Sequence, residues 1–546
     1  MRKHGALLFV LIIASVFRLV WLDSIPSGFD MDEVQVGYNA YSILKTLRDE
    51  NGRLLPVHTS FFNESRPMLS MYLTAASIAV FDLSVFAVRV TGAALGVTSV
   101  FLTYLLVKLL FQNYKLSLFV SGLLAISPWH VILTRSTADG AIGLTFMLLS
   151  SVWLVLWISK GKAKFLFLIY LSWVMTFFAY IGARPIIFLH AVFWIIALAA
   201  TGDRKKAGTL TILVLIFAIL PTYLTVRSGE GLARYQQIGN ITWKAAEARL
   251  AVPFLEDGQT RFPLLATRLF HNKLENSLRE FLREYTKYVN GNFLFIQGGF
   301  PIRYVIPEQS LEYWFEVPFF LIGLFTLLRR PSRSGIFAIF WFMAGALPAA
   351  LTTEDSPNLQ RSVFMLPGLQ IITVIGAAAL ANAIRKRSIV MKRLLAAGFL
   401  ILGSWEVGRF VHQSVIHQPI HEPWHRNVQF PQIVAYVTEV EKNYNKVVIS
   451  KSGTEPYLYF LFFGKVDPTV GQQMVIGKRD VEGDWDFGDK VKFSREACPL
   501  NDTTPPESGT LYGNVGECAP VSETEITREI LRPDNTVAMR FVKKKE

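Results

Sequence analysis

The sequence predicts a polytopic α-helical membrane protein with about 11 transmembrane helices and a small extracytoplasmic α/β domain at the C-terminal end. Hydrophobic residues make up 51% of the 546 residues, and mean hydropathy is +0.35. Only 18% of the residues are charged, whereas a soluble protein of this size carries about 25%. The apolar residues fall into runs near the ~20 residues that a membrane helix needs. This composition excludes a disordered chain, a secreted disulfide scaffold and a coiled coil.

The hydrophobic runs predict where the chain crosses the membrane. The first is predicted to be a signal anchor, because no small-residue cleavage site follows it. A further run, 67–81, is short and lies between Arg66 and Asp82, so we expect a juxtamembrane or re-entrant helix there. The predicted spans are 5–22, 88–111, 116–130, 141–158, 165–181, 185–200, 207–226, 313–328, 335–351, 362–384 and 394–411.

The net charge of +13 predicts topology rather than nucleic-acid binding. If the N-terminus is cytoplasmic and 67–81 does not cross, the inside stretches hold 18 Lys and Arg against one acid, Asp203. These stretches are the N-terminus, 108–115, 159–164, 201–208, 329–334 and 385–393. We therefore expect a plasma-membrane protein whose C-terminal region lies outside.

This topology predicts a transmembrane domain over 1–411 and an extracytoplasmic accessory domain over 412–546. Two long external loops, 23–87 and 227–312, belong to the transmembrane domain, and the first of them is expected to be catalytic. The second contains a stretch of helical periodicity, LLATRLFHNKLENSLREFLREYTKYVN. In the C-terminal region, IVAYVTEVEKNYN predicts a helix and KVVIS a strand. Cys498 and Cys518 either form an external disulfide, worth roughly 3 kcal/mol, or remain free thiols.

The unusual polar residues fall on the predicted outer side. Some lie in loops and others at the outer ends of helices; they are Arg18, Asp30, Asp32, Glu33, His130, Arg135, Asp139, Arg184, Arg303, Glu354, Asp355 and Arg361.

Arginines at outer helix ends run against the positive-inside bias, and an Arg at the bilayer centre costs about 2.5–3.5 kcal/mol on insertion scales. An anionic lipid headgroup would compensate Arg18, Arg184 and Arg361, because the guanidinium fork matches a phosphate. Snorkelling, or pairing with a structural carboxylate, is the alternative for each one.

The acids near these arginines suggest proton transfer. Asp32 can act as general base toward an acceptor hydroxyl while arginines stabilise a departing phosphate. Alternatively, Asp30, Asp32 and Glu33 only cap a helix, or their oxygens hold a divalent cation. His130 is either an interfacial residue or an acid, base or hydrogen-bond donor, and Trp129 is predicted to anchor at the membrane interface.

Over about residues 10–384 the chain resembles the GT-C glycosyltransferases that use polyprenyl-phosphate sugars, a group that includes protein O-mannosyltransferases and the lipid A aminoarabinose transferase. The matching segments, in order, are DMDEVQVGYNAYSILKT, FFNESRPMLSMYL, FDLSVFAVRVTGAALG, SPWHVILTRSTADG, YIGARPI, GGFPIRYVIPEQSLEYWFEVPF and ALPAALTTEDSPNLQRSVFMLPGL. SPWH with its downstream Arg and acid is the most specific of them. Asp139 stands where many bacterial members have Glu, and Gly140-Ala141 replaces their usual Ala-Asn.

The resemblance implies an inverting transfer at the outer membrane face with Asp32 as general base. Glu33 and Asp139 would help to hold the acceptor. Arg66 would contact the donor phosphate. Further candidates for the lipid phosphate are Arg361, Arg184, Arg135 and Arg18, and further site candidates are Asp30, His130 and Arg303. No cofactor is required; if a divalent cation is used, its ligands would be Asp30, Asp32 and Asp139.

The predicted function is therefore a membrane glycosyltransferase that moves a sugar from a polyprenyl-phosphate carrier to a lipid, glycan or protein. A transporter or flippase of lipid-linked sugars is the main alternative, and it predicts charged residues near the membrane midplane. A non-enzymatic assembly factor is the third, but it needs no constellation of acids and cations. The sequence leaves open which hexose or pentose is moved.

Overall fold

The computed structural model describes residues 2–61, 64–228, 239, 243–259, 263–451, 454–476 and 484–545. Helices dominate the chain up to residue 412. The α-helices are α1 (Arg2–Leu19), α2 (Met31–Thr46), α3 (Leu69–Phe81), α4 (Val85–Phe111), α5 (Tyr114–Ile126), α6 (Pro128–Arg135), α7 (Asp139–Lys160), α8 (Lys164–Ala179), α9 (Arg184–Ala200), α10 (Arg204–Ser228), α11 (Trp243–Asp257), α12 (Pro263–Phe270), α13 (Lys273–Val289), α14 (Val317–Arg329), α15 (Arg333–Ala350), α16 (Gly368–Ala383), α17 (Ile389–His412), α18 (Phe430–Val440), α19 (Pro456–Phe463) and α20 (Pro468–Val475). The strands are β1 (His58–Phe61), β2 (Glu64–Pro67), β3 (Lys446–Ser450), β4 (Trp485–Phe487), β5 (Val491–Ser494), β6 (Thr510–Val515), β7 (Thr524–Leu531) and β8 (Val537–Lys544).

Each of the eleven predicted spans contains an α-helix. Among the described residues, seven helices are long and apolar enough to cross a membrane, or eight if α5 and α6, which are bent by 56°, form one broken span. The helices in the predicted spans 5–22 and 165–181 are apolar but shorter, as is α3. The protein is thus a multi-span membrane protein, and the number eleven stays a prediction, as does the placement of 67–81.

The chain divides into two compact units. The first contains Met1–Val20, Glu64–Pro67 and Gly92–Val411, and the second contains Trp21–Asn63, Met68–Thr91 and His412–Glu546. The structure therefore groups most of the first external loop with the C-terminal region, whereas the sequence assigns that loop to the transmembrane domain. The split into a transmembrane domain over 1–411 and an accessory domain over 412–546 stays a prediction.

The first unit is a helical bundle with one continuous apolar core. Trp129, Trp173 and Trp341 are its largest fully buried side chains. The predicted amphipathic stretch of the long loop forms α12 and α13, and Asn272 caps α13 by accepting a bond from the Glu275 backbone N–H. Loop residues 229–238, 240–242 and 260–262 lie outside the described part of the chain.

The second unit is built on a six-stranded mixed sheet in the order β4-β5-β3-β6-β8-β7. The central strand β3 pairs in parallel with β5 and β6, and the other pairs are antiparallel. The predicted helix and strand of the C-terminal region are confirmed as α18 and β3. A disulfide joins Cys498 to Cys518 in this unit.

Helix α2 also belongs to the second unit and packs closely against α19. Gly37 makes this approach possible, because a Cβ at this position would lie 2.5 Å from the Phe462 ring. Helix α2 is consequently packed against residues that are far away in the sequence.

Candidate active site

The first acidic segment forms the start of α2. Oδ1 of Asp30 accepts hydrogen bonds from the backbone N–H groups of Asp32 (2.8 Å) and Glu33 (3.2 Å). The Glu33 carboxylate in turn accepts from the Asp30 N–H at 3.4 Å, which completes a capping box. The cap explains Asp30, and it leaves the roles of Asp32 and Glu33 to be decided by their surroundings.

Glu33 lies in a buried ion-pair cluster with two arginines. Its Oε1 accepts from Nε of Arg89 at 2.7 Å, and its Oε2 accepts from Nη2 of Arg89 and Nη2 of Arg426, both at 3.1 Å. The side chains of Glu33 and Arg89 are 1% and 0% exposed. Because both carboxylate oxygens are occupied by arginines, this geometry disfavours the predicted acceptor contact of Glu33.

Asp32 differs from its neighbours because it is only half-buried, whereas Asp30 and Glu33 are buried. Tyr459 lies close to all three acids. Its pKa is raised well above the usual range, mainly by burial and further by the negative charges of Asp30, Glu33 and Asp32. Asp32 therefore stands at the accessible edge of a negatively charged group, which suits a proton acceptor.

In the first unit, the predicted residues Asp139 and Arg66 form an ion pair. Nε of Arg66 donates to Oδ2 of Asp139 at 2.8 Å, and the two side chains are 14% and 6% exposed. Asp139 is the first residue of α7, where the helix dipole favours a carboxylate.

Arg361 approaches the same region from the loop before α16. Its Nη1 donates to Thr352 Oγ1 at 2.8 Å, and its Nη2 donates to Glu354 Oε2 at 2.7 Å. Tyr180 lies close enough to both Arg361 and Asp139 to feel their charges. Burial lowers the pKa of Arg361, but the interactions with Tyr180 and Glu354 outweigh burial and raise it. Arg361 is therefore a permanent cation beside Tyr180 and Glu354.

Close backbone packing explains why these residues meet. Gly140 lies against the loop that carries Arg361, and a Cβ there would be 2.5 Å from the Gln360 carbonyl oxygen. Trp129 holds the same loop, since its indole N–H donates to the Leu359 carbonyl at 2.8 Å. The prediction that Trp129 anchors at the interface is wrong: the side chain is fully buried, because its N–H finds a partner inside the protein.

The remaining predicted arginines have different surroundings. The guanidinium of Arg184 lies 4.1 Å from the centre of the Phe177 ring, and that of Arg303 lies 5.1 Å from the Tyr304 ring. Both side chains are half-buried. Nε of Arg184 also donates to the Phe177 carbonyl at 3.4 Å, and the aromatic faces attract both cations.

Arg18 and Arg135 are used inside the bundle. Arg18 is fully buried; it donates to the Ala125 carbonyl at 2.8 Å and approaches Nδ1 of His130 at 2.7 Å. Arg135 donates to the carbonyls of Phe17 and Val20 at 2.8 and 2.9 Å, at the C-terminal end of α1. These contacts fit the alternative weighed for each arginine, compensation by protein groups, and they place His130 in the interior rather than at an interface.

The residues do not fit a divalent-cation site. Oδ1 of Asp30 accepts from two backbone N–H groups, and Asp139 pairs with Arg66. Within the described ranges, no three His, Cys, Asp or Glu side chains are grouped so that they could hold a metal ion.

Three important residues are absent from the sequence-based candidates: Arg89, Arg426 and Tyr180. Arg89 stands in FDLSVFAVRVTGAALG, one of the matching segments, where an arginine among apolar residues was a usable signal. Tyr180 likewise is the first residue of the matching segment YIGARPI, whereas nothing in the sequence around Arg426 points to its role.

No family model and no curated protein matches the chain. Among solved structures, it is similar to ArnT from Cupriavidus metallidurans bound to undecaprenyl phosphate, with a TM-score of 0.54 and 11% identity over 98% of each chain. The apo state of ArnT gives 0.51 and 11%, covering 99% of this chain and 98% of that one. The Archaeoglobus fulgidus oligosaccharyltransferase tethered with an acceptor peptide gives 0.46 and 14%, covering 84% of this chain and 63% of that one. The likeness to ArnT extends over nearly the whole of both chains, and it shows that this multi-span membrane protein has the GT-C fold, with a C-terminal sheet domain.

Proposed function

We propose that the protein is a membrane glycosyltransferase that moves a sugar from a polyprenyl-phosphate carrier to a hydroxyl of a lipid, glycan or protein acceptor. The observation that carries the proposal is the cluster of Arg66, Asp139, Tyr180 and Arg361, in which Arg66 pairs with Asp139 and the charges of Asp139 and Arg361 both act on Tyr180. The GT-C fold, shared with an ArnT that binds undecaprenyl phosphate, supports the same donor class. The outer membrane face is proposed from the distribution of Lys and Arg.

The cations would receive the phosphate of the donor. Arg361 is a guanidinium whose present partner, Glu354, is 42% exposed, so a phosphate can replace that carboxylate at little cost. Arg66 and Arg184 are the further phosphate contacts. Cations placed where negative charge develops stabilise the transition state more than the ground state.

Asp32 would act as general base. The acceptor hydroxyl gives its proton to the Asp32 carboxylate, its oxygen forms a bond to the anomeric carbon, and the bond from that carbon to the phosphate oxygen breaks. The electron pair of the broken bond leaves with the polyprenyl phosphate. A single displacement of this kind inverts the anomeric configuration.

The test is turnover by the purified, reconstituted protein with a panel of polyprenyl-phosphate hexoses and pentoses and crude membrane acceptors. Mass spectrometry follows release of polyprenyl phosphate, and NMR reads the anomeric configuration of the product. We expect release from a restricted set of donors and an inverted product. Asp32→Asn should fold normally and lose at least about 10³-fold in kcat.

Asp534→Asn is the matched control, because this residue is half-buried like Asp32 and accepts hydrogen bonds from Thr536 in the turn between β7 and β8. Near-normal turnover in Asp32→Asn would remove Asp32 as the base. Donor that binds tightly but is never cleaved with any acceptor would favour transport of lipid-linked sugars, and a retained configuration would exclude single displacement.

A further inference from the structure

We propose that Glu33, Arg89 and Arg426 form a positioning cluster that fixes the start of α2, so that residues of the C-terminal region take part in the reaction by holding Asp32. Glu33 is in this view a positioning residue and not an acceptor ligand. The inference rests on the proposed function, because it assumes that Asp32 is the base. The positioning cluster consists of the side chains of Glu33, Arg89 and Arg426.

The contacts of Glu33 leave it little capacity for a substrate. Arg89 forms a two-point bond to its two oxygens at 2.7 and 3.1 Å, and Arg426 adds a third bond at 3.1 Å. An acceptor hydroxyl would have to displace a buried guanidinium, and an unpaired charge in a buried place is strongly unfavourable.

Arg89 ties the carboxylate to the chain that leads into α2. Its Nη1 donates to the carbonyls of Leu22 (3.2 Å), Asp23 (3.3 Å) and Pro26 (2.9 Å), and its Nη2 donates to the Gly28 carbonyl at 2.6 Å. One fully buried side chain therefore organises most of the segment between the end of α1 and the start of α2.

Arg426 holds the same segment from the C-terminal region. Its Nε donates to the Ser27 carbonyl at 2.7 Å, and its own carbonyl accepts from the Phe29 N–H at 3.0 Å. Gly28 has a positive φ of 74°, and a Cβ there would meet the Arg426 carbonyl at 2.4 Å. The two backbones are thus in direct contact three to four residues before Asp32.

The charges around Asp32 make the cluster testable. Asp30 and Glu33 contribute negative charge, Arg89 and Arg426 contribute positive charge, and Tyr459 from α19 is held in its neutral form. Removing Glu33 or Arg426 changes the local charge by one unit in opposite directions.

The experiment compares pH–rate profiles of kcat in the full-length reconstituted protein. Glu33→Gln should move the acid limb to lower pH, because a negative charge near Asp32 is lost. Arg426→Gln should move it to higher pH, because a positive charge is lost, with each shift about half to one pH unit. The double variant should return close to the wild-type limb, and Arg426→Lys should show no shift.

Steady-state constants separate positioning from binding. In Arg426→Gln we expect kcat to fall by about tenfold to a hundredfold through misplacement of Asp32, while the acceptor KM changes by less than about twofold. Arg540→Gln, which breaks an ion pair with Glu529 on the sheet, is the matched control and should match wild type. A raised acceptor KM in Glu33→Gln without the opposite pH shifts would overturn the inference.

Hydrogen exchange provides a readout that needs no activity. Peptides covering 22–36 should exchange at least about tenfold faster in Arg426→Gln than in Arg540→Gln, while peptides from the first unit stay unchanged. Equal exchange in the two variants would overturn the positioning role. Absence of turnover in wild type with every donor would instead overturn the proposed function, and faster exchange in Arg426→Gln would still establish the cluster as a structural one.

Discussion

Two charged clusters distinguish the two units of this protein, and they are built differently. In the second unit, Glu33 and Arg89 are 1% and 0% exposed and bound to one another by two hydrogen bonds. In the first unit, Arg361 is 12% exposed and its carboxylate partner Glu354 is 42% exposed. The Glu33–Arg89 pair has partners inside the protein for both charges, which suits a structural role. The Arg361–Glu354 pair can instead exchange its carboxylate for the anion of a ligand. Accessibility of the partner, rather than the presence of an arginine, separates the two roles.

The sharpest way to break this comparison is to remove the buried arginine. Arg89→Met leaves Glu33 with one arginine partner and leaves four carbonyls without their donor, so we expect a loss of about 3–5 kcal/mol in the free energy of unfolding. Thermal unfolding of purified protein checks this. Arg361→Gln, at the accessible cluster, should unfold close to wild type, and equal losses in the two variants would contradict the distinction.

Substitution of Arg361 should instead lower the rate of catalysis. Arg361→Gln should lower kcat by about 10²–10³-fold, because a cation aimed at the leaving phosphate is removed. Arg409→Gln serves as control, since this residue pairs with the exposed Glu308 in the same unit. Unchanged kcat in Arg361→Gln would remove Arg361 from the phosphate site.

Tyr180 gives a smaller test of the same cluster. Tyr180→Phe removes a hydroxyl that lies within electrostatic range of Arg361, while the bonds from Arg361 to Thr352 and Glu354 remain. We expect at most about a tenfold decrease in kcat/KM for the donor, because a neutral hydroxyl beside a charged group contributes on the order of 1 kcal/mol. Donor titration and initial rates measure it; a stability loss without a rate change would make Tyr180 a packing residue only.

The smallest expected effect has the opposite sign. Glu354→Gln removes the anion that competes for Arg361, so the donor KM should fall, by no more than about fivefold, since an exposed ion pair is worth at most ~1 kcal/mol. The gain should shrink as salt is raised. A donor KM that rises in this variant would mean that Glu354 orients Arg361 instead of competing for it.

Much of the fold could be predicted because it depends on local patterns. All eleven apolar segments are helical, and α18 and β3 lie where the periodicity predicts them. The number of membrane crossings could not be settled in this way, since α1, α3 and α8 are apolar but short. The composition of a segment shows that it prefers an apolar environment, but not whether that environment is lipid or protein.

The candidate site shows the same division. The motif DMDE indicated both a helix cap and an acid cluster, and Asp30 does cap α2. The partner of Glu33 at Arg426 lies 393 residues away, and no spacing rule could have joined them. Likewise, the burial of Trp129 follows from the approach of the Leu359 carbonyl, which is a property of the folded chain.

The sequence by itself determined that this protein crosses a membrane many times, that a small α/β region follows the last span, and which acids and arginines to examine. These properties depend on composition and on periods of a few residues, and they need no knowledge of the fold. Only the tertiary structure decided which charges are paired, because pairing and burial depend on segments that meet only after folding. It thereby separated the supporting ion pairs of Glu33 from the accessible cation Arg361.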